Sequence, residues 1–162
     1  MACSSAALLV VIQVTLRVSL VGSAPEADLV ENLLGWNGTL FSKTYSGYIP
    51  VGSEDGYTMY EHYMFFESEG NPQKDPLIMW TNGGPGAPSM FGAFTELGPY
   101  FLCGESMRTA AYNSTGVPTL FANAHRWTKL GSVLIRNLPP PVGFSYCNPA
   151  GPDGDGNSCG SW

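Results

Sequence analysis

The stretch "PLIMWTNGGPGAPSMFGAFTELGP", Pro76 to Pro99, decides how the chain is read. It begins with the apolar run Leu77 to Thr81, too short for a helix and suited to a buried strand. Three glycines and two prolines follow between Gly83 and Pro88. Then Met90, Phe91, Phe94 and Leu97 recur at helical spacing, with Ser89 placed to cap the helix and Gly98-Pro99 placed to stop it. The unit is strand, glycine loop, helix. Glycines there leave backbone N–H groups uncovered, close to the positive end of a helix dipole, and such a place binds negative charge.

The flanking segments extend the pattern. "TYSGYIPV" (Thr44 to Val51) and "YTMYEHYMFFE" (Tyr57 to Glu67) are rich in aromatic and β-branched residues. With the turn "SEDG" (Ser53 to Gly56) between them they form a hairpin, Gly47 marking a bulge or bend. The second strand is aromatic on both faces and suits a strand covered on both sides. "SVLIRNL" (Ser132 to Leu138) is a further short strand. Ala27 to Leu34 is a short helix or an extended arm, and residues 103–128 read as irregular. The fold class is α/β.

Which anion the loop holds is narrowed by what it lacks. It does not contain G-x-x-x-x-G-K-[ST] or G-x-G-x-x-G, and no lysine lies beside it, so a nucleotide phosphate is a poor fit. The chain of 162 residues carries a net charge of −6, with seven lysines and arginines in total, and shows no basic stripe for nucleic acid. The remaining candidate is the oxyanion of acyl transfer, for which α/β-hydrolases use an N–H from the loop after the third strand.

"NGGPG" (Asn82 to Gly86), "ELGP" (Glu96 to Pro99), "YSGY" (Tyr45 to Tyr48) and "VGFSY" (Val142 to Tyr146) together make the chain resemble the N-terminal part of the serine carboxypeptidases, over most of Glu31 to Tyr146. The resemblance implies the front of an α/β-hydrolase sheet. It implies roles as well: Gly84 donates its N–H to the oxyanion, while Asn82 and the N–H of Gly83 hold the free carboxylate of a peptide. Glu96 joins them, paired with a second acid outside this chain. Two close carboxyls cannot both ionise cheaply, so one stays protonated and donates to the substrate. The implied activity is removal of C-terminal residues from peptides and proteins, favoured at acidic pH, with no cofactor and no metal. Acyl transfer to an alcohol is the related option within the family. A non-catalytic secreted protein that binds peptide carboxylates is the alternative outside it.

Such an enzyme needs Ser, Asp and His in that order, the serine on G-x-S-x-G. No such motif occurs. "CGESMR" (Cys103 to Arg108) copies part of it, but Arg108 stands where glycine is required and no apolar strand precedes it. His62 and His125 come too early for the triad; His62, mid-strand, reads as a packing residue. Asp153 and Asp155 read as turn formers. The chain departs from the family at Ala87-Pro88-Ser89, where cysteine usually follows NGGPG. It departs again at Asn137-Leu138-Pro139-Pro140-Pro141, in place of acid-Ser-Pro-Ala-Gly.

Several features agree on the secretory route. Ala6 to Leu16 is apolar, Arg17 follows, and Val21-Gly22-Ser23-Ala24 supplies small residues, which reads as a signal peptide over residues 1–23. Arg17 ends the run short of a membrane span. Asn37-Gly38-Thr39 and Asn113-Ser114-Thr115 are glycosylation sequons. Cys147 and Cys159 flank a Gly/Pro/Asn/Asp loop and are expected to be bonded, which leaves Cys103 odd. An extracellular or vacuolar/lysosomal destination follows. In the implied sheet the third strand lies between the fourth and fifth. A chain ending at Trp162 would therefore leave Leu77 to Thr81 on an open apolar edge and be poorly stable.

Overall fold

The computed structural model describes residues 24–54, 57–84, 86–149 and 159. The proposed signal peptide and most of the loop between Cys147 and Cys159 lie outside these. A mixed sheet is the frame. A single 3-10 turn, Glu26–Asp28, leads into β1 (Leu29–Val30); then come β2 (Thr44–Glu54), β3 (Tyr57–Phe66), β4 (Leu77–Trp80), β7 (Ser132–Arg136) and β8 (Tyr146–Asn148). The strand order is β1-β2-β3-β7-β4, with β8 also paired to β3. The hairpin of β2 and β3 is antiparallel, as is β3 with β7, whereas β4 runs parallel to β7. A parallel neighbour needs a crossover, and the chain from Thr81 to Gly131 supplies it. That crossover holds α1 (Met90–Thr95), β5 (Tyr100–Phe101), α2 (Ala110–Thr115) and β6 (Phe121–Ala122).

Alternation along the strands sorts the side chains onto two faces. Met64 and Phe66 of β3, Val133 and Ile135 of β7, and Ile78 and Trp80 of β4 share the face covered by the crossover. Ala93 and Leu97 of α1, Tyr100 and Leu120 close the core over them. Phe66, Val133 and Ile135 have no accessible surface, and each such side chain contributes about 1.5–3 kcal/mol by burial. Phe41 stacks on Tyr100 and Trp36 meets it edge-on, and the Tyr100 hydroxyl accepts the Phe41 N–H at 3.0 Å.

On the opposite face Glu61 of β3 is bonded to Arg136 of β7. Asp28 accepts from the Tyr63 hydroxyl at 2.6 Å; burial, and then this bond, push the Tyr63 phenol well above its ordinary range. Here the structure corrects the sequence reading. Gly47 is not a bulge: it pairs in register with Tyr63, and the irregularity falls between Pro50 and Gly52. Gly47 is needed because the Asp28 carboxylate occupies the space of its Cβ, 2.3 Å away. The segment from Ala27 is a turn and a two-residue strand, neither a helix nor a plain arm.

Three more expectations change. β4 is not the buried strand its apolar run alone suggests, but the open apolar edge expected from the third-strand reading: Leu77 and Met79 are 63% and 59% exposed at the end of the sheet. Residues 103–128 are not all irregular, since Thr109 caps α2 by accepting the Tyr112 N–H and Gly116 ends it at φ 72°. Finally, β7 stops at Arg136, because Asn137 leaves the strand to bond elsewhere. No helix among the described residues is long and apolar enough to cross a membrane.

An ion pair fastens the crossover to the loop that follows β3. Arg126 donates to Glu69 from Nε at 2.6 Å and Nη2 at 2.7 Å, Thr128 donates to the same carboxylate, and the guanidinium lies 3.9 Å over the Phe41 ring. Hydrogen bonds from Arg126 hold the Glu69 carboxyl below its ordinary value of 4.5. A carboxyl more acidic in the folded state stabilises it fully above the unfolded value, and the contribution is lost as pH falls through the folded one. Glu69→Gln is expected to cost about 1–3 kcal/mol at neutral pH. In denaturant titrations the gap between wild type and variant should narrow on acidification; a constant gap argues against the pairing. The exposed edge gives a second test. Leu77→Lys places a charge on β4 where nothing is buried. It should lower concentration-dependent light scattering without shifting the denaturation midpoint, and unchanged scattering would mean the edge does not self-associate.

Candidate functional site

The glycine loop leaves the C-terminal end of β4 and turns into α1. Three contacts define its shape. The Asn82 backbone N–H donates to Ser89 Oγ at 3.0 Å, and Ser89 is 2% exposed. The Trp80 indole N–H donates to Asn82 Oδ1 at 2.8 Å. Gly92 lies against both partners of that bond: a Cβ there would sit 2.5 Å from Trp80 Nε1 and 2.7 Å from Asn82 Oδ1. With Oδ1 engaged, the Asn82 side chain has its NH₂ group left to donate.

Gly84 and Gly86 have φ of 85° and 82°, conformations that favour glycine. The Gly84 carbonyl accepts the Ala87 N–H at 3.1 Å. Gly83 and Gly84 are exposed. A Cβ on Gly83 would meet nothing within 4 Å, and one on Gly84 only Ala87 at 4.0 Å. Their own N–H groups bond to no described residue. The loop thus holds two backbone N–H groups without a described partner, on exposed residues, beside a side-chain donor. α1 has only six residues, so its dipole adds little, and Ser89 does not cap it; the hydroxyl is spent on Asn82.

Glu96 closes α1 four residues after Gly92, and its N–H donates to the Gly92 carbonyl. Its carboxylate is exposed and makes no hydrogen bond with a described residue. The turn behind it is firmly held. Asn123 Nδ2 donates to the carbonyls of Glu96 and Gly98, both at 2.9 Å, and Leu97 and Pro99 are buried. Gly98 must be glycine because the Ala93 carbonyl lies 2.0 Å from where its Cβ would be. The structure therefore groups Asn82, Gly83 and Gly84 in one loop and sets Glu96 on the adjoining helix end.

The other residues singled out from the sequence are dispersed. Cys147 and Cys159 are bonded, and the Tyr57 hydroxyl donates to the Cys159 carbonyl at 3.0 Å. Cys103 is a free, exposed thiol. Asn37 is exposed in a loop and Asn113 is exposed within α2. His125 is exposed; His62 is buried on β3. Ser106 of the "CGESMR" turn is 2% exposed and its Oγ accepts the Cys103 N–H, so it presents no nucleophile. Among the described residues no group of His, Cys, Asp and Glu is arranged to hold a metal. Trp80, Ser89, Gly92 and Asn123 were not picked out from the sequence for the contacts they make. Gly92 alone carried a signal: a glycine inside a short helix is costly unless something presses against it.

An antiparallel hairpin joined through β7 to a parallel strand, glycine loop and helix makes this part of an α/β domain of the hydrolase class. The chain belongs to the serine carboxypeptidase family, whose family model matches residues 35–156. It is 40% identical over 126 residues to serine carboxypeptidase-like 20 of Arabidopsis thaliana, covering 78% of this chain and 24% of the relative. It is also 40% identical over 124 residues to serine carboxypeptidase ctsa-3.1 of Caenorhabditis elegans, covering 76% of this chain and 19% of the relative. A crystal structure of a prohormone-processing carboxypeptidase from Saccharomyces cerevisiae aligns with a TM-score of 0.49 and 28% identity. That alignment covers 64% of this chain and 20% of the other. The chain thus spans about a quarter or less of the length of these relatives.

The fit around Gly92 yields a direct test. Gly92→Ala must displace the Trp80 indole or the Asn82 amide, costing about 1–3 kcal/mol as overpacking. The Trp80 indole N–H resonance should shift and the denaturation midpoint fall. An unmoved resonance would show that the two groups do not meet over Gly92.

Proposed function

We propose that the chain supplies the carboxylate-recognition and oxyanion portion of a serine-type carboxypeptidase that hydrolyses the C-terminal peptide bond of peptides and proteins. The observation that carries this reading is the pair of exposed amides, Gly83 and Gly84, without partners among the described residues and beside the Asn82 amide. Asn82 Nδ2 and the Gly83 N–H hold the terminal carboxylate. Glu96, exposed on the adjoining helix end, is the further group that would meet the carboxylate. Gly84 points its N–H at the scissile carbonyl oxygen, where a lost donor typically costs about 3–4 kcal/mol of transition-state stabilisation. The nucleophile, its base and the base's orienting acid are not in the 162 residues, so the chain by itself binds without turning over. The leader and the two sequons support the secretory route, and the Cys147–Cys159 bond suits an oxidising compartment.

Binding can be read separately from chemistry. A peptide with a free C-terminus should perturb the Gly83 and Gly84 amide resonances. The same peptide amidated at its C-terminus should not, and Asn82→Ala should weaken the effect about tenfold. A fluorophosphonate should leave the chain unlabelled. Equal perturbation by the two peptides would sink the carboxylate pocket, and labelling would place a nucleophile in the chain.

A further inference from the structure

On the core side of the sheet lies a buried polar row that the carboxylate pocket does not use. His62 of β3 is 6% exposed. Its Nε2 lies 3.0 Å from Ser46 Oγ on β2, and its Nδ1 lies 3.0 Å from Asn137 Nδ2 at the end of β7. Serine, histidine and asparagine in a row suggest a nucleophile, but the protons run the wrong way. Asn137 Oδ1 accepts the Met90 N–H at 3.4 Å, so the NH₂ of Asn137 faces the imidazole. Nδ1 is therefore the acceptor, the proton sits on Nε2, and His62 donates to Ser46. A base that already holds its proton toward the serine cannot activate it.

What the row does is tie elements together. The Asn137 N–H donates to the His62 carbonyl at 3.0 Å. The His62 N–H donates to Ser145 Oγ at 2.8 Å, and that hydroxyl donates to the Asn137 carbonyl. Gly143, at φ 62°, is pressed against the Asn137 side chain, with a Cβ position 2.7 Å from its Cγ. Asn137 is thus fixed from β3 and from the 139–145 loop, and its one outgoing bond reaches Met90. Met90 opens α1, directly after the residue that anchors Asn82.

We propose that His62 and Asn137 are positioning residues that latch the first turn of α1, and hence the glycine loop, to the central strands, and that acid releases the latch. A proton on Nδ1 sets an N–H against the Asn137 NH₂, donor facing donor. Asn137 can answer only by turning its amide over, which brings its NH₂ onto the Met90 N–H and breaks that bond instead.

The surroundings leave the imidazolium unsupported. From β2 the groups facing His62 are Ser46 and the Tyr48 ring, and Tyr48 in turn meets Tyr146 of β8. From the loop come Phe144 and Ser145, and from α1 only the Met90 amide, reached through Asn137. Glu61 and Arg136, the nearest charges along the strands, point to the opposite sheet face and bond each other. Burial alone pushes the His62 imidazole below its ordinary value of 6.5. Above that value histidine is neutral folded and unfolded, and the latch is intact. As pH falls below it the unfolded chain takes the proton first, so the contribution of the neutral imidazole is lost progressively down to the folded value.

The latch stands independently of the carboxylate reading, because its readout is an amide. In the 162-residue chain, long-range nitrogen–proton spectra at about pH 7.5 should show His62 protonated on Nε2 and bare on Nδ1. On acidification, followed until the His62 ring nitrogens themselves report the second proton, the Met90 amide should lose protection from exchange roughly five- to tenfold after correction for the intrinsic rate, as one hydrogen bond opens. The Val133 and Ile135 amides should hold. His62→Phe, which keeps the ring packing, should abolish the step at Met90. A proton on Nδ1 at neutral pH would overturn the proposal. So would a Met90 amide that shows no step, a step that survives in His62→Phe, or loss of protection at Val133 and Ile135 together with Met90. The wild-type titration decides the matter even if the variant does not fold.

Discussion

The contact on which the site depends is the closure of the Trp80–Asn82 bond over Gly92. It makes the end of a strand and the first turns of a helix share one small volume. A single added methyl group would not fit there, so the strand cannot slide along the helix. The buried Ser89 hydroxyl fixes the backbone of the same asparagine from the other direction. Between these constraints the glycines can stay open to solvent without wandering, because both ends of the loop are anchored. Exposed amides held in this way have lost their conformational entropy during folding, before any ligand arrives.

The sheet carries different chemistry on its two faces. The covered face holds Phe66, Val133 and Ile135, with the His62 row at its upper end. The opposite face holds a charged pair, Glu61 with Arg136, and a tyrosine whose hydroxyl is given to Asp28. β4 sits where these meet open solvent, with Ile78 and Trp80 turned to the core and Leu77 and Met79 turned out. One strand therefore anchors the loop and leaves the sheet uncovered, which links the position of the site to the weakest part of the fold.

Much of this was legible because it is local. The strand, the glycines and the helix follow one another within Pro76 to Pro99, and their order is a matter of period and backbone freedom. The hairpin is equally local. What escaped reading depends on partners distant in sequence. Gly47 looked like a bend because glycine often marks one; the true cause is Asp28, folded back from the N-terminal arm. His62 was read as a packing residue, and its burial agrees, but its bonds run to Ser46 on β2 and to Asn137 just past the end of β7. Periodicity alone made Leu77 and Met79 read as buried; it was the strand order implied by the resemblance that put them on an open edge, where they lie.

The bond between Cys147 and Cys159 joins residues 12 apart and meets the hairpin where Met59 pairs with Cys147 and Tyr57 reaches the Cys159 carbonyl. Closing a segment of that size restricts the unfolded chain by about 3 kcal/mol. The restriction acts on the tip of β3 and on β8, while Phe66 and the crossover lie at the other end of the same strand. Reducing agents would therefore act on this molecule unevenly. The far end of the hairpin would fray first, and the amides that follow β4 would feel it only through the intervening length of β3 and β7.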